Sequence, residues 1–137
     1  MTGAPEWTGA PGTEVEIRLR VLSLAAGQTD TVDLAVSDGD RNWHLRWDPT
    51  GISFYGYADR WPTLTTDWRT WRLAMQGDVV EVCVDDGAEP TWTSPASFHY
   101  VRNALWVGDD GTGTGGETQV DWIRWTLSGD GDPCTGW

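Results

Sequence analysis

The sequence predicts an all-β chain folded as a two-sheet antiparallel β-sandwich of about nine strands. Three observations carry this. Apolar residues alternate with polar ones at a period of two over most of the chain. Turn signals return about every 8–12 residues. The 17 glycines, 7 prolines and 39% hydrophobic residues fit a loop-rich β protein better than a helical one. At 137 residues the chain makes one domain. A domain of this size buries roughly 70% of the surface its unfolded chain exposes. We expect a core of about residues 13–127, an N-terminal arm 1–12 and a C-terminal tail 128–137.

Residues 14–21 (EVEIRLRV) set Val15, Ile17, Leu19 and Val21 on one face, and Glu14, Glu16, Arg18 and Arg20 on the other. That is a half-buried strand with a charged, wet face. Residues 31–36 repeat the pattern with Val32, Leu34 and Val36, and Ser37 to Asp40 form a turn. Residues 42–47 (NWHLRW) turn Trp43, Leu45 and Trp47 inward and His44 and Arg46 outward. The turn Asp48-Pro49-Thr50-Gly51 leads into a strand at 52–57, and 58–68 is a longer connection. Trp71, Leu73 and Met75 share a face of 69–75. Gln76-Gly77-Asp78 then makes a hairpin loop into 79–85, which turns Val80, Val82 and Val84 inward. Residues 88–97 form a proline-punctuated loop, short strands follow near 98–101 and 104–108, and 109–117 is glycine-rich. The last strand, 118–127 (TQVDWIRWTL), is apolar on both faces, which predicts a central position.

Charge narrows the function classes. The chain has 21 acidic and 9 basic residues, a net charge of −12, and every basic residue is an arginine. Such a chain repels phosphate backbones and anionic membrane surfaces. We therefore expect no nucleic-acid partner and no membrane insertion; docking on a basic patch of another protein fits better. The N-terminus has neither the basic region nor the apolar core of a signal peptide, so we expect a chain made in the cytoplasm. The two cysteines, Cys83 in a strand and Cys134 in the tail, allow two readings. A bridge would close a loop of about 50 residues; a cytosolic origin favours free thiols.

The order of motifs resembles a known family. EIRLRV opens the chain, Trp71 to Gly87 reads WRLAMQGDVVEVCVDDG, Leu105 to Asp109 reads LWVGD, and Val120 to Trp125 closes with VDWIRW. This is similar to the concanavalin A-like lectin/glucanase jelly rolls, including the laminin-G-like domains. The resemblance covers most of residues 13–127. It implies a jelly-roll sandwich, a lectin-like binding capacity in some members and catalysis in others. The laminarinase-type glucanases of the family carry a Glu-x-Asp-x-x-Glu strand. Neither Glu14-Val15-Glu16 nor the stretch from Glu81 to Asp86 supplies it. A retaining glycosidase needs carboxyls about 5 Å apart, and no strand offers such a pair, so we expect no enzyme.

His44 and His99 have no cysteine or carboxylate at metal-ligand spacing and read as partly exposed strand residues. No cofactor is implied by the residues, with one structural alternative. Asp109, Asp110 and Asp121 are candidate calcium donors, in keeping with the structural calcium of the resembling family. Asp-Gly pairs are equally the ordinary vocabulary of hairpin turns.

Tryptophan is the strongest compositional signal, with 11 in the chain. Trp43, Trp47 and Trp71 follow the inward period. Trp122 and Trp125 are three apart and point to opposite faces. Trp61 and Trp92 fall in long loops, and Tyr55 and Tyr57 share a strand face. With His44 and Arg46 beside them, these rings form a candidate glycan surface, in which sugar C–H groups stack on aromatics. The alternative is that the same rings fill the edges and ends of the sandwich. Trp7 and Trp137, near the termini, are candidate interface anchors, because tryptophan is enriched at binding hot spots.

Together these readings predict a non-catalytic binding or assembly module. The first expectation is a structural protein of a phage particle, a capsid decoration or tail component with a lectin-like fold. Its partners would be virion proteins or copies of itself. The alternative is a free-standing carbohydrate-binding module.

Overall fold

The computed structural model describes residues 13–29, 31–38, 41–54, 60–85, 92–95, 103–108 and 115–127. These residues form ten strands and no helix. In chain order the strands are β1 (Glu14–Leu24), β2 (Val32–Asp38), β3 (Asn42–Asp48), β4 (Gly51–Phe54) and β5 (Arg60–Pro62). There follow β6 (Arg69–Gln76), β7 (Val79–Val84), β8 (Trp92–Pro95), β9 (Asn103–Gly108) and β10 (Gly116–Thr126). They pair into two antiparallel five-stranded sheets, β10-β1-β6-β7-β8 and β5-β4-β3-β2-β9.

The predicted inward residues build the core. Val15, Ile17 and Leu19 from β1, Trp71, Leu73 and Met75 from β6, and Val80 and Val82 from β7 are buried in the first sheet. Val32, Leu34 and Val36 from β2, Trp43, Leu45 and Trp47 from β3, and Ile52 and Phe54 from β4 answer them from the second. Trp47 and Trp71 meet edge to face across the sheets, their ring centroids 5.7 Å apart. One cluster of β-branched and aromatic side chains thus joins both layers, as the alternating pattern requires. The β6–β7 hairpin closes through Gly77, whose φ of 67° fits a two-residue turn with a left-handed first position.

Several expectations need correction. The two-sheet antiparallel sandwich of about nine strands holds, with ten strands described, but two connections are misread: β5 lies inside the predicted connection 58–68 and β8 inside the predicted loop 88–97. Both are short edge strands ending in proline, Pro62 and Pro95, and proline is tolerated there because an edge leaves one backbone donor position unpaired. The strand expected near 98–101 lies outside the described residues.

β10 is an edge strand, not a central one. Its apparent two-sided apolarity comes from a bulge. Arg18 pairs with Trp122 and Leu19 with Val120, so Asp121 is an extra residue. The bulge shifts the phase and brings Val120 onto the same side as Ile123 and Trp125. Trp122 takes the other side, as its spacing from Trp125 predicts. Trp125 nevertheless stays 46% exposed, at the rim of the core.

The wet face expected on β1 is also partly dry. Glu14 and Glu16 are buried. Glu16 Oε2 accepts from Arg72 and Oε1 from Arg124 at 2.7 Å. A carboxylate can be buried here because two guanidiniums from the strands on either side neutralise it. Arg18 and Arg20 keep the solvent side and lie over the Trp68 ring, at 5.6 and 4.9 Å from its centroid.

Cys83, buried on β7, is disulfide-bonded. The free-thiol reading fails at this residue. The chain's other cysteine, Cys134, lies outside the described residues.

Candidate functional site

The face of the second sheet turned away from the core is unusually polar for a surface so well buried. Register defines it as a grid. On β3 it carries Asn42, His44 and Arg46; on β2 the residues opposite are Ser37, Ala35 and Asp33. On β9 the partners are positions 104, 106 and 108, an alanine, a tryptophan and a glycine. β4 adds Ser53 beside Arg46. Asn42, His44, Ser37 and Asp33 are all buried.

The centre of the grid is an aromatic pair over a small residue. Ala35 lies between His44 and Trp106 in the register. Ala35 is itself fully buried, and the two rings meet edge to face with centroids 6.0 Å apart. His44 has a partner on the neighbouring strand: its Nε2 stands 3.1 Å from Asp33 Oδ2. Arg46 Nε lies 3.6 Å from Asp33 Oδ1. A fully buried carboxylate thus serves a buried imidazole and a partly exposed guanidinium. Such a carboxylate is tolerated only when so paired. The result is a buried polar layer in which one carboxylate stands beside an imidazole and a guanidinium, with the half-buried Trp106 ring against the imidazole.

A second carboxylate lies at the end of β3. Asp48 Oδ1 accepts from the backbone N–H of Thr50 at 2.8 Å and from its hydroxyl at 2.9 Å, an Asx turn. Its Oδ2 accepts from Arg60. This carboxylate fixes the β3–β4 turn to β5.

Of the residues expected to bind glycan, His44 and Arg46 lie together in this grid. His44 is buried rather than partly exposed, because its carboxylate partner is on the neighbouring strand where sequence spacing does not reveal it. Trp61 and Trp92 lie elsewhere. Trp61 shares the inward face with Ile52 and meets Phe54 edge to face at 5.4 Å. Trp92 shares the inward face with Val82 and stacks on Trp71 at 6.0 Å. Both are half-buried against the core, so they fill the sandwich edges. Tyr55, Tyr57, Trp7 and Trp137 lie outside the described residues. So do Asp109 and Asp110; the remaining candidate calcium donor, Asp121, lies 3.2 Å from Arg18 Nε. No group of three or more metal-ligating side chains occurs among the described residues.

Asp33 and Trp106 are among the members of the grid that sequence reasoning missed. Asp33 reads as an ordinary polar position in an alternating strand, and Trp106 as one more strand tryptophan. The one available signal was parity: both fall out of phase with the inward residues of their strands.

No family model and no curated protein matches the chain. Solved structures do. A putative β-glucanase from Mycobacterium abscessus superposes with a TM-score of 0.53 at 21% identity over 85% of this chain and 64% of that one. An immunostimulatory antigen and pseudo β-1,3-glucanase of Mycobacterium tuberculosis gives 0.53 at 23% identity, over 88% and 65%. A β-1,3-glucanase from Mycobacterium marinum gives 0.55 at 22%, over 87% and 64%. This chain has their fold. It spans less than two thirds of the length of each. The resemblance seen in the sequence therefore holds for the sandwich itself, and a shared sandwich does not assign an activity.

Proposed function

We propose that the chain is a non-catalytic carbohydrate-binding module whose ligand lies along the outer face of the second sheet. The observation that carries this reading is the grid around Ala35. It sets the half-buried Trp106 ring and the partly exposed Arg46 and Ser53 on a layer of buried residues, Asp33, Ala35, Ser37 and His44. A sugar presents C–H patches to rings and hydroxyls to fixed polar groups, and protein sites that take such ligands combine apolar walls with a few placed polar groups. Absence of catalysis is part of the proposal. Asp33 and Asp48 are the carboxylates this face offers among the described residues, and each is engaged with a guanidinium. A glycosidase needs one acid and one base free to exchange protons.

β-1,3-Glucan is the first ligand to try, since proteins of the same fold carry that name. Isothermal titration across a glycan panel should find at least one binder. Trp106→Ala should weaken that binding by tenfold or more without loss of the folded far-UV spectrum. A panel with no binder, or a Trp106→Ala variant that binds as the parent does, would refute the reading.

The second reading is an assembly component, such as a phage particle protein. It is favoured by the exposed apolar side chains Leu22, Leu24, Val120, Trp125 and Leu127 along or next to the β1–β10 pair. Sedimentation at rising concentration separates the two: a chain that stays monomeric and binds glycan is the module.

A further inference from the structure

Five side chains on the outer face of the first sheet are dry: Glu14 and Glu16 on β1, Arg72 and Ala74 on β6, and Cys83 on β7. All five alternate with residues that turn into the core. The ten strands are all used in the two sheets, so no third layer of strands covers this face. The outer face of an antiparallel sandwich normally meets water. Arg72 and Arg124 neutralise Glu16, but Ala74 and Cys83 have short side chains that cannot hide themselves, and both are 0% exposed. Their burial calls for a cover.

Cys83 points to which segment supplies it. It is disulfide-bonded, and the chain holds one other cysteine, Cys134. Register marks the path between them. Thr126, at the end of β10, lies in one row with Glu14, Ala74 and Glu81; Arg124, Glu16, Arg72 and Cys83 form the next row. A line from Thr126 to Cys83 crosses β1 between Glu14 and Glu16, then β6 between Ala74 and Arg72. Those are the buried residues. In the same two rows but off the line, Arg124 is exposed and Glu81 partly exposed. Arg18 and Thr70, one row further on, are partly exposed too.

The length of chain fits. The crossing is three strand spacings wide, about 14 Å, and one row long, about 7 Å. The eight residue steps from Thr126 to Cys134 reach at most about 28 Å. Gly129 and Gly131 allow a backbone to lie close on the sheet.

We propose that Cys83 bonds Cys134 and that residues 128–134 form a strap across the outer face of the first sheet. While bonded, the strap closes this face to any partner. A dithiol opens it: two electrons and two protons convert the disulfide into two thiols, and the dithiol leaves as a cyclic disulfide. The face around Glu14, Glu16 and Ala74 is then a surface exposed only under reducing conditions.

Peptide mapping without reduction should join the Cys83 peptide of the monomer to the Cys134 peptide. Carboxyl labelling with a water-soluble carbodiimide and glycine ethyl ester, read by mass spectrometry, reports the cover. Glu14 and Glu16 should label slowly in the intact chain, and at least one of them roughly tenfold faster after dithiothreitol or in Cys134→Ser. Deletion of residues 128–137 serves as a second variant, since it removes the strap whatever holds it down. Asp33, buried in the second sheet, should stay slow throughout, and Asp78, with a side chain 76% exposed, should stay fast. Two free thiols in the isolated chain, a Cys83 bond to a second copy, or labelling of Glu14 and Glu16 that neither variant accelerates overturns the proposal. So does an equal rise at Asp33, which would report a loosened fold and not a lifted strap.

Discussion

Glu16 lies within the outer face of the first sheet, with one carboxylate oxygen on Arg72 and the other on Arg124. The two arginines are not equivalent. Arg72 is buried with the glutamate, whereas the Arg124 side chain is half exposed. Glu16→Ala leaves the buried Arg72 charge without this partner and should cost about 3–5 kcal/mol. Arg124→Ala leaves the carboxylate its buried partner and should cost about 1 kcal/mol. Urea denaturation of the two variants checks the ranking, which reverses if Arg124 provides the main neutralisation. The sequence shows the charges of β1 but not their burial. Alternation tells which side a residue takes, and only the neighbouring strands tell whether that side is wet.

At the scale of elements, edge strands were the hard part to read. β5 and β8 are only three and four residues long and contain prolines. Too little alternation survives in so short a run to separate a strand from a loop. Their inward residues, Trp61 and Trp92, consequently read as exposed rings. The pairing of β5 depends on close approach at Gly51. A Cβ there would meet the carbonyl oxygen of Trp61. Gly116, at a φ of 142°, is constrained in the same way, since a Cβ would meet the carbonyl oxygen of Ser23 in β1. Gly51→Ala should release β5 from β4 and lower stability by about 1–3 kcal/mol, the usual range for overpacking. Hydrogen exchange should show faster loss of protection in β5 than in β3. Uniform exchange across both strands would mean that β5 does not depend on this contact.

For the whole molecule, the tryptophan cluster joins the layers, and a disulfide at Cys83 adds a covalent tie. Trp47 and Trp71 are fully buried and touch across the sheets. Truncating either removes a side chain that no neighbour can replace. Trp71→Ala should cost about 3–5 kcal/mol, and should loosen Trp92, which stacks on it. The bond at Cys83 ties the first sheet to another part of the chain. Reduction should lower stability by about 2–5 kcal/mol. A melting temperature unchanged by a thiol reductant under conditions that expose two thiols by mass spectrometry would show that the crosslink constrains little.

The sequence by itself determined the all-β class, the inward set of each long strand and the turns that join them. These are local properties. Each follows from alternation, glycine and proline placement, and one strand's own residues, so no knowledge of neighbours is needed. The tertiary structure decided what depends on register between strands far apart in the chain. It made β10 an edge, and a bulge at Asp121 shifts that strand's phase by one residue. It dried the face of β1 by bringing Arg72 and Arg124 to Glu16. It assembled the candidate site by setting Asp33, Asn42, His44, Arg46 and Trp106 on one face of three strands. Pairing across a sheet joins residues separated by any distance along the chain, and sequence spacing holds no record of it.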